Sequence, residues 1–288
     1  MKIIDLLNSG KPSLSFEVFP PKTDAAYESV EKAVKEIASL SPHFMSVTYG
    51  AGGGTSSYTV NIASQIQKDF NVPALAHITC ISSTRQTVQD QLEKIRQAGL
   101  ENVLALRGDI PEGSDNSHAD YQYASDLVAE IKKTENFCIG GACYPEGHPE
   151  SANSREDILN LKRKIDAGCQ FLTTQMFFDN NILYNYLYKI REQGITVPVV
   201  AGIMPVTNGK QISRICKLSG TYLPARFKAI VDRFGDDPEA MTQAGIAYAT
   251  DQIIDLLANG VNAVHVYTMN KPDVARQIQK NLSYIIQK

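Results

Sequence analysis

Apolar, β-branched runs open near residues 14, 44, 74, 102, 137, 171, 197 and 263, and this recurrence constrains the fold more than any single motif does. The first seven stand roughly 26 to 35 residues apart, the length of one strand plus one helix. Helical patterning fills the intervals: residues 24–40, 84–98, 119–133 and 153–167 carry apolar side chains three and four apart, with Gly99 and Gly168 where C-terminal glycines belong. Eight such units close into a (β/α)8 TIM barrel, an α/β fold, more naturally than they lie flat, an open doubly wound sheet being the other architecture. The 288 residues are therefore expected to form a single domain over 1–288. The last interval, about 66 residues, has room for extra helices between strands 7 and 8 at 210–218, 225–234 and 238–259, where insertions shape a substrate entrance.

The string Ser15-Phe16-Glu17-Val18-Phe19-Pro20-Pro21-Lys22 sets a carboxylate inside the first run and ends that run with two prolines. Side chains alternate along a strand, so Leu14, Phe16 and Val18 share one face and Ser15, Glu17 and Phe19 the other. Proline cannot extend the ladder, which leaves Glu17 near the strand's C-terminal tip, the end at which barrels bind ligands. Such a carboxylate is either a strut paired with a lysine or a working group.

The same parity recurs. Leu75, His77 and Thr79 alternate with Ala74, Ala76 and Ile78, Thr173 and Gln175 with Leu172, Thr174 and Met176, and His265 and Tyr267 with Val264 and Val266. In the fourth strand Arg107 and Asp109 are expected to share an inward parity with Val103 and Ala105, opposite Leu104 and Leu106. Collecting Glu17, His77, Arg107, Asp109 and Gln175 at one rim is costly unless a ligand or a salt-bridged layer satisfies them. The fifth strand, Ile139-Gly140-Gly141-Ala142-Cys143, is small-chained and leaves space for something bulky.

Two loops stand out. Residues 50–57, Gly50-Ala51-Gly52-Gly53-Gly54-Thr55-Ser56-Ser57, follow the second strand as either a flexible turn or a set of backbone N–H donors, without the lysine of a P-loop or the G-x-G-x-x-G of a dinucleotide fold. Tyr144-Pro145-Glu146-Gly147-His148-Pro149-Glu150 leads into a helix that Ser154 can cap, with Asp157 in the capping-box position. Along that helix Asp157, Asn160, Arg163 and Lys164 form one stripe and Ile158, Leu161 and Ile165 another. The polar stripe is an ordinary solvated face or, through its two cations, a pyrophosphate cradle.

Composition narrows the partners. A net charge of −3 without a long basic run argues against nucleic acid. No apolar segment approaches the roughly 18 residues of a membrane span, and Asp5 interrupts what would be a signal-peptide core. Five cysteines, odd in number and without a C-x-x-C pair, suit a reducing cytoplasm, and five scattered histidines lack metal-ligand spacing, so no metal is expected.

Taken in order, the Glu17 string, Ser46-Val47-Thr48-Tyr49-Gly50-Ala51-Gly52-Gly53, His77-Ile78-Thr79-Cys80, Leu106-Arg107-Gly108-Asp109, Tyr144-Pro145-Glu146, His148-Pro149-Glu150, Asn160-Leu161-Lys162-Arg163-Lys164 and Thr174-Gln175 resemble the catalytic domain of methylenetetrahydrofolate reductase, from about residue 10 to residue 280. That family is a (β/α)8 barrel that binds FAD without a Rossmann fold. The resemblance implies that Thr48, Tyr49, Ala51, His77, Arg107, Gly108, Asp109, Tyr144, His148, Asp157, Asn160, Arg163 and Lys164 hold FAD, with Arg163 and Lys164 near its pyrophosphate. It implies that Gln175 and Gln211 contact substrate and that Met269 and Lys271 line the folate side.

The implied reaction is hydride delivery from reduced flavin to the one-carbon unit of methylenetetrahydrofolate, with NAD(P)H as the source of electrons. Its five-membered ring must first open, which needs a proton on the departing amine; Glu17 is the expected acid, kept protonated by a desolvated setting, and Asp109 the expected pterin anchor. A cytoplasmic homo-oligomer without a regulatory domain is the implied form. Two positions depart from the family pattern: Ile215 stands where relatives often carry phenylalanine, and Lys271 where arginine is common. An aliphatic residue offers no aromatic surface to a nicotinamide or pterin ring, and lysine lacks the guanidinium fork. The other functions open to the sequence are a flavin-carrying subunit that takes electrons from a partner protein and a flavin-free, pterin-binding methyltransferase barrel.

Overall fold

The computed structural model describes residues 1–49, 56–81, 83–110, 119–134 and 136–286, with only the backbone of Ser56 and Ser57. A short helix α1 (Ile3–Leu7) precedes β1 (Ser13–Val18), and the barrel continues through α2 (Tyr27–Ser39), β2 (Met45–Val47), α3 (Ser56–Phe70), β3 (Ala74–Thr79), α4 (Arg85–Gln97) and β4 (Asn102–Leu106). It goes on through α5 (Ala124–Lys133), β5 (Cys138–Cys143), α6 (Ser154–Asp166), β6 (Phe171–Thr174), α7 (Asn180–Glu192) and β7 (Val199–Ile203). Three helices, α8 (Gly209–Ser219), α9 (Ala225–Phe234) and α10 (Pro238–Ala258), then precede β8 (Ala263–Tyr267) and α11 (Pro272–Asn281). All eight strands are parallel and close in sequence order, β8 pairing back onto β1 with Ser15 opposite His265 and Glu17 opposite Tyr267. The expected barrel and the insertion between strands 7 and 8 are both present.

Burial divides into two layers. Outward strand residues such as Phe16, Val47, Ile78, Val103, Ala105 and Val266 pack with Ile37, Ile62, Leu92 and Leu127 of the helices in one apolar layer. Each large side chain removed from water there contributes roughly 1.5–3 kcal/mol. Inside, Phe44, Leu75, Leu104, Cys138, Phe171, Val200 and Ala263 fill the N-terminal end of the barrel, with Ile3 of α1 beneath them. A satellite cluster of Met176, Phe178, Val206, Ile212, Phe227 and Met241 binds α8, α9 and α10 to the ends of β6 and β7.

Three details differ from expectation. In β4 the inward apolar residues are Leu104 and Leu106, while Val103 and Ala105 face the helices; the strand ends at Leu106, so Arg107 and Asp109 do not continue its alternation. The space beside the small residues of β5 is taken by the protein itself. A Cβ at Gly140 would meet the Phe171 ring at 2.4 Å, and one at Gly141 would meet the Lys164 stem at 2.8 Å. Helix α6 is capped by Asn153, whose side chain accepts from the Glu156 N–H, rather than by Ser154.

Candidate active site

Glu17 is the next-to-last residue of β1 and faces inward, with its side chain only 10% exposed. Its Oε2 accepts from the Ser46 hydroxyl at 3.3 Å. The Nε2 atoms of His77 and His265 lie 3.7 and 3.8 Å away, too far for good hydrogen bonds. Burial pushes the His77 imidazole down to about 4, against the raising influence of Glu17, so His77 is neutral above that pH. Its Nε2 is buried without a hydrogen-bond partner, as is Thr173 Oγ1. His265 is held on both sides, with Ser15 Oγ 2.7 Å from Nδ1 and Ser46 Oγ 2.9 Å from Nε2, and its ring stacks on Phe44 with centroids 5.4 Å apart. Tyr267 donates to the Thr174 carbonyl at 2.5 Å, and burial holds its hydroxyl well above the usual tyrosine range.

A second group gathers beyond β4 and β5. Arg107 makes a two-pronged ion pair with Glu150, at 2.5 and 2.7 Å. Gly108 turns the chain at φ +88, where an added Cβ would press on Thr79 at 3.1 Å. Tyr144 meets His148 edge to face at 4.6 Å, and burial pushes the Tyr144 hydroxyl up to about 12 and the His148 imidazole down. Lys164 runs over Gly141 and donates to the Ala142 carbonyl at 2.7 Å, and burial lowers the pKa of its ammonium. Its neighbour Arg163 is exposed and donates to Asn160 at 2.8 Å, so the two cations are engaged separately. Asp157 accepts from Ser151 at 3.0 Å.

The remaining expected residues are distributed around the rim. Thr48 follows β2, its carbonyl accepting from Thr59 at 2.9 Å, and Tyr49 is bonded through its hydroxyl to Gln91. Asp109 is exposed just past Gly108. Gln175 follows β6, with its Oε1 turned back onto the Met176 N–H at 2.9 Å. Gln211 is exposed on the first turn of α8, and Met269 is 41% exposed in a left-handed turn at φ 54. Lys271 caps α11 and donates to Thr207 at 2.5 Å, tying β8 to the loop after β7. Ile215 is half-buried against the satellite cluster. Ala51 and the glycine stretch 50–55 lie outside the described residues. Ser15, Ser46 and Glu150 were not expected as site residues. The inward parity of Ser15 and the position of Ser46 opposite Glu17 were the signals that could have found the first two.

A closed eight-stranded barrel with ionisable side chains sunk at the C-terminal ends of its strands has the architecture of a (β/α)8 barrel enzyme. The particular lineage comes from comparison. The methylenetetrahydrofolate reductase family profile matches residues 2–283, and the chain belongs to that family. It is 36% identical over 303 residues to methylenetetrahydrofolate reductase (NADH) 1 of Arabidopsis thaliana, covering 99% of this chain but 51% of that one. It therefore spans about half the length of its plant relatives. The 5,10-methylenetetrahydrofolate reductase of Escherichia coli K12 is 35% identical over 269 residues, which cover 93% of this chain and 90% of that one. Among solved structures, an uncharacterized Clostridium thermocellum protein that binds two copies of 5-methyl-5,6,7,8-tetrahydrofolic acid has the same fold, with a TM-score of 0.66, 15% identity, and coverage of 99% of this chain and 100% of that one.

Proposed function

We propose that this chain reduces 5,10-methylenetetrahydrofolate to 5-methyltetrahydrofolate with FAD as its resident cofactor and NAD(P)H as the electron source, as a cytoplasmic homo-oligomer. The observation that carries this reading is Glu17. Among the described residues its carboxylate has one hydrogen-bond donor, Ser46, and it is buried beside two imidazoles near the C-terminal end of β1. The surrounding donor set fits a flavin dinucleotide: Arg107, Arg163 and Lys164 supply positive charge, Tyr144 and His148 supply rings, and the buried His77 nitrogen lacks a partner.

When bound, the flavin supplies hydride chemistry, and the chain's task is to prepare the folate. Glu17 would hold a proton at its carboxyl and pass it to the departing amine nitrogen of the methylene bridge, which opens the ring to an electrophilic iminium. Asp109 would orient the pterin by accepting its N–H groups, and Gln175, Gln211, Met269 and Lys271 would hold the substrate's remaining length. Arg107 and Glu150 brace each other and fix the turn at Gly108.

Purified protein should absorb as a flavoprotein, bleach when NADH or NADPH is added without oxygen, and recolour with methylenetetrahydrofolate. A colourless protein would refute this reading. Glu17→Gln should stay yellow and bleach with the nicotinamide while folate-driven recolouring falls by about a hundredfold or more; near-normal recolouring would remove Glu17 from the acid role. The aliphatic Ile215 supports a second reading, a flavin-carrying subunit fed by a partner protein, for which the yellow protein would not bleach.

A further inference from the structure

We propose that His265 is a positioning residue for Glu17: clasped between Ser15 and Ser46, it turns the Ser46 hydroxyl and so couples the protonation of Glu17 to its own ring nitrogens. The proposal rests on the reading of Glu17 as the acid, and it comes from counting hydrogens along one chain of contacts. Ser15 Oγ lies 3.0 Å from the Val264 carbonyl and 2.7 Å from His265 Nδ1. Ser46 Oγ lies 2.9 Å from His265 Nε2 and 3.3 Å from Glu17 Oε2. Each serine has a single hydroxyl hydrogen and two candidate acceptors, and the Val264 carbonyl can only accept.

Two arrangements follow from the state of Glu17. In the first, a protonated Glu17 donates to Ser46, Ser46 donates to His265 Nε2, the Nδ1–H donates to Ser15, and Ser15 donates to Val264. In the second, Glu17 is ionised and has lost one proton; Ser46 turns to donate to it, and His265 must carry hydrogen on Nε2. Nδ1 then either accepts from Ser15, whose one hydrogen leaves the Val264 carbonyl, or, when the departing proton is kept on the ring as imidazolium, still donates to Ser15 and every link is kept. Either way, His265 Nε2 changes from acceptor to donor when Glu17 loses its proton, and a mismatch leaves a buried polar contact unmade.

Among the described residues, no other group around Glu17 makes such a link. His77 from β3 lies 3.7 Å from the carboxylate and makes no hydrogen bond through Nε2. Tyr267 from β8 spends its hydroxyl on Thr174. His265 is 2% exposed and stacked on Phe44, so its ring cannot turn out of the chain without disturbing the apolar floor of the barrel. Among the described residues, the hydroxyl of Ser46 is therefore the one adjustable link between the acid and a second titratable group.

The direct test is nitrogen NMR on the full chain with isotope-labelled histidine and no substrate present, with the His265 signals assigned by their loss in His265→Gln. The expected result is a change of Nε2 from the bare-nitrogen to the N–H-bearing range as Glu17 ionises, with no such change in Glu17→Gln. Ser46→Ala should uncouple the two groups and Ser46→Thr, which keeps the hydroxyl, should restore the coupling. An Nε2 signal that stays unchanged while Glu17 ionises, or that still changes in Glu17→Gln or Ser46→Ala, overturns the proposal. Should Ser46→Ala fail to fold, Ser15→Ala serves in its place, with weakened coupling expected and unchanged coupling counting against the chain. In turnover, Ser46→Ala should slow the folate half-reaction by about tenfold or more and move its pH profile while flavin reduction by NAD(P)H stays within about twofold. Equal loss in both half-reactions would mark Ser46 as merely structural and sink the proposal. A wild-type protein that never reduces folate would defeat the functional reading while leaving the NMR result to stand or fall alone.

Discussion

His77 shows how one buried ring ties stability to pH. Its imidazole titrates near 6.5 when the chain is unfolded and is pushed down to about 4 by burial in the barrel. Between those values the unfolded chain binds the proton more readily than the folded one, so stability rises with pH across the window. The contribution is fully present above about 6.5 and is lost as the pH falls toward 4, amounting to roughly 3 kcal/mol at about 1.4 kcal/mol per pH unit. His77→Gln removes the titration and should shrink the rise in unfolding free energy between about pH 4 and 6.5 by roughly that 3 kcal/mol, measured by denaturant titration at several pH values. An unchanged slope would show that His77 charges inside the fold at little cost. Glu17, three ångströms and more from either imidazole nitrogen, was legible as an inward carboxylate because period-two alternation survives to the end of β1. Arg107 and Asp109 were not, because the left-handed turn at Gly108 breaks the pleat they appeared to continue.

At the scale of elements, α1 closes the N-terminal end of the barrel through one buried amide. Asn102 Oδ1 accepts the Ile3 N–H at 2.8 Å, while Nδ2 donates to the Met1 and Ala74 carbonyls at 3.2 Å each. Asn102→Ala leaves those backbone groups unpartnered beside a small void and should cost about 2–3 kcal/mol. The Ile3 amide should lose hydrogen-exchange protection while amides of the outer layer keep theirs; retained protection would mean that the apolar seat of Ile3 suffices. Nothing in the first ten residues announces this helix, since its five residues are too few to show a period and its anchor lies about a hundred positions away. The long helices were readable for the opposite reason, with α9 and α10 beginning at the expected residues. The filling of β5 was not readable, because the sequence shows that Gly140 and Gly141 make room but not that Phe171 and Lys164 from neighbouring elements take it.

The whole molecule depends on a seam between its two ends. Strands β1 and β8 lie some 250 residues apart in sequence, so their pairing closes a very long loop and comes at a high entropic cost. The structure reinforces that seam where the strands give way to loops. Asn270, in a left-handed conformation at φ 54, accepts the Phe19 N–H at 2.8 Å and donates to the Phe19 carbonyl at 2.9 Å, and Thr268 donates to the Glu17 carbonyl at 2.6 Å. These bonds sit within two residues of the proposed acid, so the closure of the barrel and the aim of Glu17 are set by the same few contacts. Asn270→Ala removes two bonds and places alanine in a backbone region it disfavours, a combined loss of about 2–4 kcal/mol. The apolar layer runs unbroken from β1 around to β8, so the variant should still unfold in one step at lower denaturant, with fluorescence and far-ultraviolet dichroism transitions coinciding. Separate transitions would show that the seam can open while the rest of the barrel stands. On the proposed function, folate reduction should fall further in this variant than flavin reduction does, because in that reading only the folate step depends on where Glu17 points.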